Sequence, residues 1–179
     1  MITRLRALFA NKAGGTVLVD LNAAARDVLA ILQSQLRRNQ AVTRAELCDD
    51  LPPVAGDRVQ LEQVILNLLL NAQEAMSDVD NRPKEIVIRT ERDNDDRVRL
   101  TVRDAGAGFG PEGLGPQGPE RLFEAFYTTK SGGMGVGLSI SRSIIESHHG
   151  KLWAAQNDGP GATFSFSIPL GQTGATSGS

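Results

Sequence analysis

Cysteine occurs once, at Cys48, so no internal disulfide can form, and no set of zinc-type ligands accompanies it. That usage suits a chain kept in the reducing cytoplasm. Long apolar runs are also missing. The opening "MITRLRALFANK" carries basic residues but too short an apolar run for a signal peptide, and no later stretch is long enough to span a bilayer. No direct membrane contact is expected of this domain, whatever anchors a membrane-bound parent. A formal net charge of -2 gives no general attraction to nucleic acid, so no nucleic-acid partner is expected either. Histidine occurs only as His148 and His149, and the GxxxxGK[ST] phosphate loop does not occur.

What is present is enough for one core: 179 residues at 40% hydrophobic content, which two domains would leave marginal. Ile2, Leu5, Leu8 and Phe9 recur at helical spacing, so residues 1–14 read as the end of an upstream helix or linker. Residues 15–170 read as the domain, and residues 171–179 ("GQTGATSGS") as a flexible tail.

Within the domain, "TVLVDL" predicts a strand and "NAAARDVLAILQSQLRR" a helix with an apolar stripe through Ala24, Val28, Leu29, Leu32 and Leu36. "AVTRAEL" predicts a second strand, ended by the prolines of "LPP". A deeply packed helix follows, with Asp57 as its N-cap. "EIVIRTE" and "RVRLTVRD" alternate around "RDNDD" and predict an antiparallel hairpin, with Val98, Leu100 and Val102 facing the core. Residues 105–118 are dense in glycine and proline, as a functional lid would be. "GLSISRSIIESHH" predicts a helix closed by Gly150, and "KLWAAQ" with "ATFSFSIPL" a last strand pair. The histidines at that helix end fit a structural role beside the C-terminal dipole.

Two segments of the lid, "GFGPEG" and "GLGPQG", satisfy GxGxxG. Neither opens a long helix after a strand, as a dinucleotide-binding turn must. Four other segments, in order, carry a different signal: "NLLLNAQEAM" (67–76), "DAGAGFG" (104–110), "RLFEAFYTTK" (121–130) and "GGMGVGLSI" (132–140). Together with "GATFSFSIP" they resemble the N, G1, F and G2 boxes of the GHKL superfamily, and within it the catalytic domain of two-component sensor histidine kinases. The resemblance implies a two-layer α/β sandwich of the Bergerat type, a mixed, mainly antiparallel sheet covered on one face by three helices. It implies ATP and Mg2+ as ligands and transfer of the γ-phosphoryl group to a histidine on a separate dimerisation hairpin, with a response regulator as indirect partner. The family's acceptor histidine is followed by an acid on an upstream hairpin; "SHHGKLW" does not match it.

Asn67 and Asn71 lie one helical turn apart and share a face. Their amides either satisfy neighbouring backbone groups or meet a ligand; the resemblance implies that Asn71 binds the metal and Asn67 orients water or phosphate. Asp104 follows Val102 by two, which turns its carboxylate toward the interior, although an acid at a strand end also initiates turns. In the family this acid meets the exocyclic amine of adenine. Gly106 and Gly108 are then read as bare main chain running flush against the base. Gly133, Gly135 and Gly137 precede a helix whose first amides suit a phosphate chain. Leu138 joins the nucleotide site by the same resemblance. Lys130 reaches the terminal phosphates or is simply solvated. The family often has Thr where Met134 stands, so one hydroxyl contact is missing here. Thr163 is placed near the adenine edge by the resemblance. Phe123 and Phe126 predict packing at the far end of the lid. A nucleotide-binding regulatory module and a stand-alone protein-serine kinase of the same superfamily are the alternatives. Gyrase and chaperone ATPases carry a water-activating glutamate where this chain has Asn67.

Overall fold

The computed structural model describes residues 17–94, 96–109, 115–124 and 137–171. The expectations for residues 1–14, the tail beyond Gly171, Phe126, Lys130, Gly133, Met134 and Gly135 lie outside those residues.

Alternation dictates the sheet. Ile86 and Ile88 on β4 (Lys84–Asp93), Val98, Leu100 and Val102 on β5 (Arg97–Arg103), and Phe164, Phe166 and Ile168 on β7 (Ala162–Pro169) are all buried, and they share one face. Direct pairing sets Ile88 beside Val102 and Val102 beside Phe164, so the apolar rows are continuous across strands. β2 (Ala41–Glu46) pairs parallel to β4, and β6 (Lys151–Gln156) antiparallel to β7. The order is β2-β4-β5-β7-β6, a mixed and mainly antiparallel sheet.

Three helices cover the apolar face. α2 (Arg58–Ala75) is central, burying Leu61, Val64, Ile65, Leu68, Leu69 and Ala72; α1 (Leu21–Arg38) and α3 (Gly137–Ser147) flank it. Asp57 caps α2 as expected, accepting from the amides of Val59 (2.9 Å) and Gln60 (3.3 Å). Asp20, which reads in the sequence as part of a strand, caps α1 through the amide of Ala23 at 3.2 Å.

One strand escapes the sequence pattern. Val54–Gly56 forms β3, which pairs with β1 (Val17–Val19) as a separate two-stranded sheet. Three residues directly after two prolines are too few to show an alternation.

The end of α3 corrects a second expectation. His149, not Gly150, holds the left-handed conformation, at φ 61°. The amide of Gly150 reaches the carbonyl of Ile145 (2.9 Å) and that of His149 the carbonyl of Glu146 (3.0 Å), the paired bonds of a Schellman closure. Gly150 is required for space instead: a Cβ there would lie 2.3 Å from the carbonyl oxygen of Ser167.

Candidate nucleotide site

The motif residues converge where α2, the start of α3 and the end of β5 meet. Asn67 uses its amide nitrogen to tie two helices together, donating to the carbonyl of Gly137 (3.3 Å) and the hydroxyl of the buried Ser141 (3.1 Å). The first turn of α3, with Gly137 and the partly buried Leu138, is thereby fixed against α2. One turn along the same face, the side chain of half-buried Asn71 makes no hydrogen bond to any described residue. The two asparagines therefore differ: one is structurally engaged, and the other holds its amide in reserve.

Asp104 is only 3% exposed, on the apolar face of the sheet with Val102. Its Oδ1 accepts the amides of Gly106 (2.8 Å) and Ala162 (3.2 Å), so the acid initiates the turn and points inward at once. Its own amide and carbonyl are also engaged, with the carbonyl of Ala162 (3.0 Å) and the side chain of Asn157 (3.0 Å). Gly161, at φ 93°, leaves no room for a side chain: a Cβ would lie 2.1 Å from the Asp104 carbonyl oxygen.

The glycines after Asp104 have a reason that the sequence does not reveal. A Cβ on Gly106 would come within 2.4 Å of the Ala75 carbonyl oxygen, so the loop lies directly on the last turn of α2, one turn beyond Asn71. Gly108 takes φ 69° and faces the Gln156 side chain, which accepts the amide of Phe109 at 2.9 Å. Both glycines are demanded by the protein itself, before any ligand is considered.

Thr163 is not brought to Asp104. Strand alternation puts Ala162 and Phe164 on the helix-covered face and turns Thr163 away from it, where its hydroxyl donates to Asn157 Oδ1 at 2.5 Å. The residue that faces Asp104 is Ala162, one place earlier.

The lid is pinned at its far end. Buried Phe123, at the end of the 3-10 segment Gly115–Phe123, stacks edge-on with Phe164 at 6.2 Å, and Phe109 does the same from the near end. Arg142 of α3 sits 5.5 Å over the Phe123 ring and pairs with Glu120 at 2.8 Å. The hydrogen bond that Arg142 donates to Glu146, opposed by desolvation and joined by one to Glu120, raises the pKa of the guanidinium above its ordinary value.

Arg82, in the connection between α2 and β4, lies outside the motif segments. Its Nε and Nη2 donate to the carbonyls of Ala105 and Gly106, both at 2.8 Å. A lone arginine in "NRPK" carries no sequence signal for such a contact. A cavity of about 450 Å³ opens beside it, lined in part by Ala75, Arg82, Gly108 and Phe109. A larger hollow of about 540 Å³, between the C-terminal ends of α1 and α2, is lined by none of the candidate ligand residues.

Residues 56–172 match the model of histidine kinase-, DNA gyrase B- and HSP90-like ATPases. The chain belongs to this ATPase family. Within it the domain groups with the catalytic domains of sensor histidine kinases, by sequence and by fold. It is 47% identical over 116 residues to the sensor protein FixL of Bradyrhizobium diazoefficiens, covering 65% of this chain and 22% of that protein. It superposes on the nucleotide-free catalytic domain of the histidine kinase ThkA with a TM-score of 0.74 at 34% identity, covering 88% of this chain and 97% of that one. ThkA in complex with the response regulator TrrA matches at 28% identity and a TM-score of 0.70, covering 95% of this chain and 48% of that one. The chain spans about a fifth of the length of the curated relatives it matches. Among the described residues no helix is long and apolar enough to cross a membrane.

Proposed function

We propose that this domain binds ATP with Mg2+ in the angle between α2, α3 and the lid, and that it transfers the γ-phosphoryl group to a histidine on a separate dimerisation hairpin of a parent kinase. The resulting phosphohistidine then serves a response regulator. The observation that carries this reading is the contrast on α2: Asn67 is committed to holding α3, while Asn71, one turn on, keeps its amide unengaged among the described residues. An amide oxygen shared with phosphate and water is a suitable hard ligand for magnesium. Among the described residues no three His, Cys, Asp or Glu side chains converge on a metal. Bound at Asn71, the ion would neutralise charge on the phosphates.

The protein's own residues do the rest by positioning. Buried Asp104 offers a carboxylate to the amine of the base. Gly137 and Leu138 present the start of α3 to the phosphate chain, and Gly133, Gly135 and Lys130 belong to the same phosphate-binding segment in this reading. His148 is not the acceptor: it is 9% exposed, with Nδ1 on the Ile144 carbonyl (2.7 Å) and Nε2 on the Asp57 amide (3.0 Å).

Incubating the domain with γ-labelled ATP, Mg2+ and a phosphoacceptor hairpin tests the reading. Acid-labile label should appear on the hairpin and not on the domain. Tight nucleotide binding without transfer would support a regulatory module instead, and label on serine a serine kinase.

A further inference from the structure

Arg82 lies outside all four sequence boxes, yet it grips two consecutive carbonyls of the loop that follows Asp104. A trans peptide is planar, with its carbonyl and amide pointing in opposite directions. Holding the Ala105 carbonyl therefore sends the Gly106 amide the other way, and that amide donates to Asp104 Oδ1 at 2.8 Å. Holding the Gly106 carbonyl sends the Ala107 amide the other way in turn, and it donates to the Ala75 carbonyl of α2 at 3.3 Å. One guanidinium thus orients two peptide planes. The first plane sets the Asp104 carboxylate, and the second seats the loop on α2.

We propose that Arg82 is a positioning residue for base recognition: it acts through the Ala105–Gly106 and Gly106–Ala107 peptides to hold the Asp104 carboxylate where it can read the exocyclic amine of adenine. This rests on the reading of Asp104 given above. The chemistry favours arginine at this position. Its planar fork presents Nε and Nη2 to two neighbouring acceptors at fixed spacing, whereas a lysine ammonium is a single point that can replace only one of the bonds with the same geometry. The side chain is half-buried, so it is shielded from full competition with water.

The test compares ATP with inosine triphosphate, which lacks the exocyclic amine, by calorimetry on the whole domain with Mg2+. Arg82→Ala should weaken ATP binding by about tenfold and leave inosine triphosphate little changed, so the preference for ATP collapses. Arg82→Lys should recover part of that preference. Equal weakening for both nucleotides, or an unchanged preference in folded Arg82→Ala, would overturn the proposal. Amide hydrogen exchange in nucleotide-free protein supplies an independent arm: Gly106 and Ala107 should exchange faster in Arg82→Ala while the α2 core stays protected. If the wild-type domain does not distinguish the two nucleotides, the reading of Asp104 fails by itself. Unchanged exchange at Gly106 and Ala107 would instead remove the Arg82 clamp, whatever Asp104 does.

Discussion

The imidazole of His148 accepts the backbone amide of Asp57 at 3.0 Å, joining the end of α3 to the start of α2 across 91 positions of sequence. Because Nε2 is the acceptor, Nδ1 carries the proton and donates to the Ile144 carbonyl at 2.7 Å. Long-range ¹⁵N–¹H correlation should therefore show the Nδ1–H tautomer; an Nε2–H pattern would contradict the assignment. Replacing His148 with Phe leaves the Asp57 backbone amide without its partner, while the Ile144 carbonyl keeps the Ser147 hydroxyl, and should cost about 1–3 kcal/mol in urea denaturation. A Cβ on Gly56 would sit 2.4 Å from this ring, so Gly56→Ala should destabilise the same junction.

His149 is expected to respond in the opposite sense. It occupies the left-handed position of the Schellman closure, where glycine meets no steric penalty. His149→Gly should raise stability by about 0.5–1 kcal/mol, while Gly150→Ala, driven into the Ser167 carbonyl, should lower it. A pair of melting curves decides both signs.

Asn67 and Asn71 should separate folding from ligand binding. Asn67→Ala strands the buried Ser141 hydroxyl and removes a second hydrogen bond from the Gly137 carbonyl, and about 1–3 kcal/mol of stability should go with them. Asn71→Ala should stay within about 0.5 kcal/mol of the parent, since its amide makes no hydrogen bond to a described residue. What Asn71→Ala should lose is the gain in ATP affinity on adding Mg2+. Retention of that gain would remove Asn71 from the metal site.

Asp104→Asn keeps a side-chain oxygen for the amides of Gly106 and Ala162, so the loop should still fold. The lost negative charge weakens the bond to a base amine, because hydrogen bonds to ionised groups are the stronger ones. The rise in melting temperature on adding Mg2+ and ATP should shrink greatly. A full rise in a well-folded variant would exclude Asp104 from base recognition.

The hairpin of β4 and β5, the last strand pair and all three helices were legible because each repeats an apolar period over many residues. Asp104 was legible for the same reason, its burial following from the alternation of β5. β3 and the capping role of Asp20 were not, since three residues show no period and a strand-like neighbour masked the cap. Thr163 shows the limit of matching by motif: a shift of one residue along a strand exchanges the two faces, and the structure gives the inward place to Ala162.

The order of the four boxes, set on a chain with one core's worth of apolar residues, by itself determined the ATPase family and the layered α/β architecture. Periodic burial and turn chemistry are local properties, and they are written along the chain. Only the tertiary structure decided which polar groups are already spent: Asn67 on α3, His148 on Asp57, Arg82 on two carbonyls, with Asn71 left over. Those pairings span tens of residues, and a hydrogen bond depends on distances of a few tenths of an ångström that no spacing in sequence encodes.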